Sequence, residues 1–343
     1  MSPTLARRLP AALAAAVTAV ALAACGTTTE SPAPVAQQPP TTGTSAAAAF
    51  PVTIEHKFGK TEIKAEPKNV VTLGLTDQEP ALAMGVKPVG VVDWFGERPY
   101  GNFPWTSSLW AGAQPEIVGE RGDFNFEKIA ALRPDVIIAQ YQALDQQQYD
   151  TLTKIAPTVA QSGKFPDFAT PWQDMTRTIG QSLGRSAKAE ELIKGIEAKF
   201  AQVRKDNPDF AGKSVAVADT TGPGKYAVFA ANDPRSVLMT EIGFKIPDQI
   251  KSLTQDGNPV EFGDERLDLL EADRLIWLTS DDAAPEQIKA NAVYQKLKVA
   301  QEGRAVFVPY NTPPAGAAVT FATVLSIPYA FDQVVPLLAA VKK

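Results

Sequence analysis

One phrase occurs twice in this chain, 138 residues apart. Phe124-Asn125-Phe126-Glu127-Lys128-Ile129 continues through Leu132-Arg133-Pro134-Asp135 into the apolar run Val136-Ile137-Ile138. Phe262-Gly263-Asp264-Glu265-Arg266-Leu267 continues through Leu270-Glu271-Ala272-Asp273 into Leu275-Ile276-Trp277. Phe, Glu, Leu, Asp and Ile recur in step. A second echo, Met84-Gly85-Val86-Lys87 against Ile242-Gly243-Phe244-Lys245, comes after a helical pattern in each half. A common helix–turn–strand phrase also recurs by chance, but the two echoes together favour two lobes of similar topology.

The body around these echoes alternates short apolar strands with amphipathic helical stretches. Strands are expected at 70–73, 89–92, 136–139, 214–218, 275–278 and 306–308, with helical patterns such as Gln78–Met84 and Glu127–Leu132 between them. That alternation predicts an α/β fold with parallel sheets. Between the halves, Thr170-Pro171-Trp172-Gln173 reads as an N-cap, a proline at the first helical position and Gln at N3. Trp172, Met175, Ile179 and Leu183 continue at helical spacing. After Gly184, Ser186 is expected to cap a second helix to about Lys205, with Leu192, Ile193, Ile196, Phe200 and Val203 as its apolar stripe. At ~30 Å it is long enough to bridge two lobes. The expected divisions are an N-terminal lobe at 50–168, a helical connector at 169–210 and a C-terminal lobe at 211–343.

The first 49 residues do not belong to that body. Arg7 and Arg8 precede an apolar stretch, Leu9 to Ala24, that is shorter than the ~20 residues a membrane span requires. The order is that of a signal peptide, 1–24. Leu22-Ala23-Ala24-Cys25 resembles the lipobox of bacterial lipoproteins, and Cys25 is the only cysteine. The resemblance implies cleavage before Cys25, a lipid on its sulfur, and anchoring at the outer face of the cytoplasmic membrane. Residues 25–49, rich in Thr, Pro, Ala and Ser, read as a flexible tether. Loss of Arg7 and Arg8 moves the formal charge from −5 to −7, which argues against a nucleic-acid partner.

Several chemistries are short of residues. His56 is the single histidine, expected at the surface of an edge strand, and one His without a cysteine cannot build the usual zinc or copper sites. No G-x-S-x-G elbow meets it. Gly222-Pro223-Gly224-Lys225-Tyr226-Ala227 has the spacing of a dinucleotide loop. It runs into Val228-Phe229-Ala230, which is strand-like rather than an opening helix, and Pro223 lacks an N–H for a phosphate. No catalytic or metal-ligating residue is assigned, and no cofactor.

The unusual segment is Asp93 to Trp110, where Trp94, Phe95, Tyr100, Phe103, Trp105 and Trp110 fill six of eighteen positions against 8% aromatic overall. It comes directly after a strand, at the end where open α/β sheets bind ligands. Its aromatics either pack the loop down or line a pocket. Arg98 is placed to meet a ligand acceptor or to stay in solvent. Tyr141, Phe165, Phe168, Trp172, Asn232, Arg235, Tyr310 and Asn311 lie beyond other strands or open helices. The ligand-binding candidates are Trp94, Arg98, Tyr100, Trp105, Tyr141, Trp172, Arg235 and Tyr310, a set suited to a large, flat or anionic ligand.

With these residues in hand, the chain from about Phe50 onward resembles the iron-siderophore-binding lipoproteins of ABC importers, the periplasmic-binding class with a rigid inter-lobe helix. The resemblance is carried by Val70-Val71-Thr72-Leu73, Phe126-Glu127 to Asp135, Tyr149 to Pro157, and Lys298 to Val308. Leu73 to Gln78 and Ala169 to Trp172 resemble the ferric-siderophore branch. It implies three-layer lobes flanking a cleft, a monomer, and a permease dimer with its ATPase as partner. Glu127 and Glu265 match the residues that dock such proteins to permease arginines; the residues themselves place both acids only near a helix start, where a carboxylate also favours the helix dipole. A bound siderophore would already satisfy its iron. A haem- or cobalamin-binding protein of the same class is the nearest alternative, then a carboxylate-dependent hydrolase and a surface adhesion or scaffold protein.

Overall fold

The computed structural model describes residues 50–341 apart from Phe95, Glu97, Pro223, Asp256 and Ser280. The signal peptide, Cys25 and the tether expected at 1–49 lie outside the described residues. The N-terminal lobe opens with a hairpin, β1 (Val52–His56) and β2 (Gly59–Ile63), and continues with β3 (Val70–Thr72), β4 (Gly90–Asp93), β5 (Glu116–Glu120), β6 (Asp123–Phe124), β7 (Val136–Ala139) and β8 (Thr158–Ala160). These last six form one sheet in the order β6-β5-β4-β3-β7-β8, parallel except at β5/β6. Helices α1 (Gln78–Ala83), α2 (Ser107–Trp110), α3 (Phe126–Ala131) and α4 (Gln146–Leu152) connect them. Every residue of β3 and β7 is buried, which is why both read as continuous apolar runs: a sheet covered on both faces has no polar side.

The connector is α5 (Trp172–Ser182) and α6 (Ser186–Asp206). The C-terminal lobe contains β9 (Val215–Gly222), β10 (Lys225–Val228), β11 (Val260–Gly263), β12 (Arg274–Thr279) and β13 (Ala305–Pro309), ordered β11-β10-β9-β12-β13. The pairs β9/β12 and β12/β13 are parallel, while β10 runs antiparallel to both its neighbours. Its helices are α7 (Pro234–Glu241), α8 (Asp248–Leu253), α9 (Ala284–Ala290), α10 (Lys298–Gln301), α11 (Ala315–Phe321) and α12 (Ser326–Ala340).

The repeated phrase does the same structural work twice. Asp135 accepts the backbone N–H groups of Lys68 (2.7 Å) and Asn69 (2.8 Å), just ahead of β3. Asp273 accepts from the N–H (2.7 Å) and hydroxyl (2.8 Å) of Ser214, just ahead of β9. Each aspartate pins the start of the strand beside its own. The helical parts differ: α3 is capped by Asn125, whose side chain accepts from Lys128 N at 2.9 Å. Gly263, the equivalent of Asn125, has no side chain to cap with, and the second copy winds as a 3₁₀ turn over Asp264–Leu270.

The connector belongs to both lobes. Ala189 packs with Met175, Ile179 and Leu183 in the N-terminal core, whereas Ile193, Ile196 and Phe200 pack with Trp172 in the C-terminal core. Gly184 takes φ 68° and ends α5 as a left-handed cap: its N–H reaches Gln181 O, and Arg185 N reaches Gly180 O. The tight turn presses α5 on α6, so that a Cβ on Gly180 would lie 2.6 Å from the Cβ of Ala189.

Three local expectations are corrected. Pro171 has ψ 141°, outside the helical range, so α5 begins at Trp172 and Thr170 makes no cap. Ser186 is already the first helical residue of α6, after Arg185. His56 is buried, 7% exposed, because the hairpin folds over β8: its Nε2 lies 2.9 Å from Thr61 Oγ1, which itself donates to Thr158 O. Burial pushes its imidazole pKa down.

Candidate ligand-binding site

The turn from β3 into α1 fixes one wall of a crevice between the lobes. Asp77, wholly buried, accepts from Gly74 N (3.0 Å) and Gln140 N (2.8 Å) with one carboxylate oxygen, and from Tyr141 N (2.9 Å) with the other. Only glycine fits at 74, since a Cβ there would lie 2.3 Å from the Asp77 carboxylate. Leu75 N donates to Tyr141 O as well. The carboxyl end of β7 is thereby locked, and Tyr141 is held at the crevice.

Opposite Tyr141 stand Ala169 to Trp172 and Met175 of the connector entry, Asn232, Pro234, Val237 and Leu238 at α7, and Phe321 and Ala322 ending α11. They enclose about 510 Å³ of non-protein space, open mouth included. The walls are mainly apolar, the usual make-up of a small-molecule site. Phe168 stands over Tyr141 edge-on, centroids 5.6 Å apart. It remains 39% exposed and takes φ 62°, a region disfavoured for a large side chain. Ala322 shares that region at φ 46°. Strained residues of this kind gather at functional sites.

Polar groups are few. Burial pushes the Tyr141 phenol up, and Arg235 opposes that shift. Trp172 is 5% exposed, and its indole N–H has no hydrogen-bond partner among the described residues. Arg235 lies over the Phe229 ring, 3.8 Å from its centroid. It pairs with Asp233 at 2.9 Å and donates from Nε to Thr320 Oγ1 at 3.2 Å. Asp233 also accepts Arg235 N, capping α7. Burial raises the carboxyls of Asp233 and of Asp219 on β9, and Arg235 pulls both back.

None of the described aromatics of the segment lines the crevice: some pack the N-terminal lobe and others bridge the lobes. Trp94 packs in the N-terminal core near Phe124 and Phe126, and Tyr100 packs edge-on against buried Trp110. Phe103 and Trp105 bridge the lobes. Phe103 and Trp105 stack with centroids 4.6 Å apart, and Phe103 meets Phe321 edge-on. Trp105 donates from Nε1 to Glu79 at 3.0 Å, and the other Glu79 oxygen accepts from Thr323 of the opposite lobe. Burial pushes Glu79 up to about 7. Arg98 donates to Asn311 O at 3.2 Å and lies 5.4 Å from the Phe103 centroid; Tyr310 packs beside Phe103 and Phe321.

Of the eight ligand-binding candidates, Tyr141 and Trp172 line the crevice and Arg235 adjoins it. Arg98, Trp105 and Tyr310 form the lobe bridge, and Trp94 and Tyr100 lie in N-terminal packing. Sequence reasoning passed over Asp219, Asp233, Glu79, Phe321 and Ala322. Phe321-Ala322 ends an Ala-rich apolar helix with no local sign of a site. Glu127 and Glu265 are both exposed at equivalent helix starts. Among the described residues no group of three His, Cys, Asp or Glu side chains is placed to hold a metal. A larger, more open hollow in the C-terminal lobe, about 1200 Å³ with its solvent, is lined by Tyr226, Asp264 and Asn291 among others. It draws on one lobe only, and Tyr226, Asp264 and Asn291 are bonded to one another, so the inter-lobe crevice is the better site.

Residues 79–312 match the periplasmic binding protein family. The chain belongs to that family. The architecture is similar to that of a periplasmic solute-binding protein from Mycobacterium smegmatis, 36% identical with a TM-score of 0.76, covering 85% of this chain and 98% of that one. It is also similar to PiaA of Streptococcus pneumoniae in complex with ferrichrome, 28% identical with a TM-score of 0.73, covering 84% and 97%. A Bacillus subtilis protein named a probable siderophore-binding lipoprotein is 27% identical over 267 residues, 74% of this chain and 78% of its own. As a periplasmic binding protein, the chain falls in a class that binds solutes, and the two sheets joined by a long helix are the fold its relatives share.

Proposed function

We propose that this periplasmic binding protein captures a ferric siderophore and delivers it to an ABC importer for iron uptake. One observation carries the reading: a mainly apolar crevice between two lobes is lined by Tyr141, Trp172 and Asn232, with the Arg235 guanidinium beside it. Such a site grips the organic shell of an iron complex by area and a few hydrogen bonds. The chelator supplies the metal's ligands, so the iron is cargo, and neither a resident cofactor nor a catalytic step enters. The chain works as a monomer anchored through Cys25 at the outer face of the cytoplasmic membrane. Glu127 and Glu265 orient it on a permease dimer served by an ATPase. The similarity to a ferrichrome-bound relative and to a lipoprotein named for siderophore binding supports this reading.

The test is to purify the protein from iron-limited cells and read any bound complex by visible absorbance and mass. A ferric siderophore in one-to-one ratio is expected. Haem or cobalamin in its place would overturn the reading.

A further inference from the structure

The turn that leads into the connector breaks a local rule. Ala169 N donates to Pro166 O at 3.1 Å, which closes a four-residue turn with Asp167 and Phe168 at its centre. Phe168 takes φ 62° there, a value that at this position favours Gly or Asn. In a residue with a side chain it crowds the Cβ against the following carbonyl, and that costs free energy. A glycine would close the same turn without the strain. The fold makes little use of the side chain that causes it. Phe168 is 39% exposed, the only aromatic among the exposed large apolar side chains of the described residues. It belongs to none of the core clusters of either lobe.

The turn is nevertheless fastened from both sides. Asp167 pairs with Lys57 of the β1–β2 turn at 2.9 Å and accepts from Gln161 Nε2 at 3.3 Å. Lys57 N donates to Gln161 O at 2.9 Å, so the loop after β8 is tied to the hairpin. On the other side, Ala169 to Trp172 line the crevice. Tyr141, which meets the Phe168 ring edge-on at 5.6 Å, lines it as well, and its backbone N–H is held by Asp77. Phe168 thus stands at the crevice rim, joined by chain to one lining residue and by ring contact to another. An apolar ring held in water on a fixed mount contributes area when a ligand covers it, and little ordering cost offsets the gain.

We infer that Phe168 is a ligand-contacting residue of the crevice rim, covering a flat conjugated or apolar part of the bound complex's organic shell, and that its backbone strain is kept for this contact. The inference rests on the ferric-siderophore reading and adds a residue to its site. Ferrichrome, ferric desferrioxamine B, ferric enterobactin, ferric dicitrate, haem and cobalamin are each titrated into the full-length protein in detergent, followed by tryptophan quenching. The tightest binder is then titrated into Phe168→Gly, which removes ring and strain, and Phe168→Ala, which removes the ring alone. Both variants are expected to bind roughly 10-fold more weakly than wild type. Phe168→Gly should melt no lower than wild type and about 2 °C or more above Phe168→Ala. Wild-type affinity in Phe168→Gly overturns the inference and leaves the siderophore reading standing. So does weaker binding together with a lower melting temperature in Phe168→Gly, which would assign the ring to packing. Saturation by haem or cobalamin with no response to any ferric complex overturns the siderophore reading instead, and the two variants then decide the role of Phe168 on that compound. No saturable response to any of the six overturns both.

Discussion

Asp135 and Asp273 carry the repeated phrase at the scale of single atoms. Each uses a carboxylate oxygen to hold two donors at the start of the neighbouring strand, and these bonds hold both carboxyls below the usual aspartate range. A depressed carboxyl contributes stability that is present above its unfolded value and lost as pH falls through the folded one. Asp135→Asn should therefore lower the melting temperature at pH 7, by a loss of about 1 kcal/mol because solvent reaches the carboxylate. The difference from wild type should shrink as pH falls to about 3, and thermal melts at both pH values check it. The recurrence of these aspartates was visible in the sequence; their task was not, because the donors at 68–69 and 214 are 59 or more residues away.

At the scale of elements, legibility tracked locality. The connector was readable because its apolar spacing and the Gly184 break are local signals. Its caps were misplaced because a Thr-Pro-Trp-Gln string fits a capping box equally well whether or not Pro171 adopts helical ψ. A strand-like run was visible at Val228 in β10, but its antiparallel pairing with β9 and β11 was not, since pairing direction is set by contacts across the sheet. The bridge from α1 to the Thr323 turn spans 244 residues and was equally hidden. It carries a pH dependence. Burial raises Glu79 to about 7 and Asp77 to about 6, above their unfolded values. The stability they contribute is complete below those unfolded values and is lost as pH rises through the folded ones. The protein should melt at a lower temperature at pH 8 than at pH 5, and Glu79→Gln should flatten that fall. An unchanged slope in the variant would assign the dependence to other groups.

For the whole molecule, two sheets with a helix threaded into both cores were foreseeable from the alternating strands, the echoes and the length of α6. The crevice was only half foreseeable. Tyr141, Trp172 and Asn232 stand next to readable strand and helix boundaries, whereas Phe321 and Ala322 arrive from about 180 residues beyond Tyr141 and carry no local signal of a site. The aromatic segment stands out by composition, yet its described aromatics pack the N-terminal lobe or bridge the two lobes, with Phe103 and Trp105 close to a crevice residue, Phe321. Because Glu127 and Glu265 are exposed at matching sites on the two lobes, replacing both with Ala should abolish siderophore-dependent iron uptake while leaving solution affinity within about 2-fold of wild type. A matching loss of affinity would place these acids in binding or folding instead.

The claim on which the rest depends is that the ligand sits between Tyr141, Trp172 and α7. Titrating a ferric siderophore into the wild-type protein and into Ala169→Trp, which fills the crevice from the connector entry, tests it directly. The account predicts saturable one-to-one binding by the wild type and a loss of roughly 100-fold or more in the variant, with its melting temperature unchanged. Wild-type affinity in Ala169→Trp would place the ligand elsewhere, the solvent-open hollow of the C-terminal lobe being the first place to look.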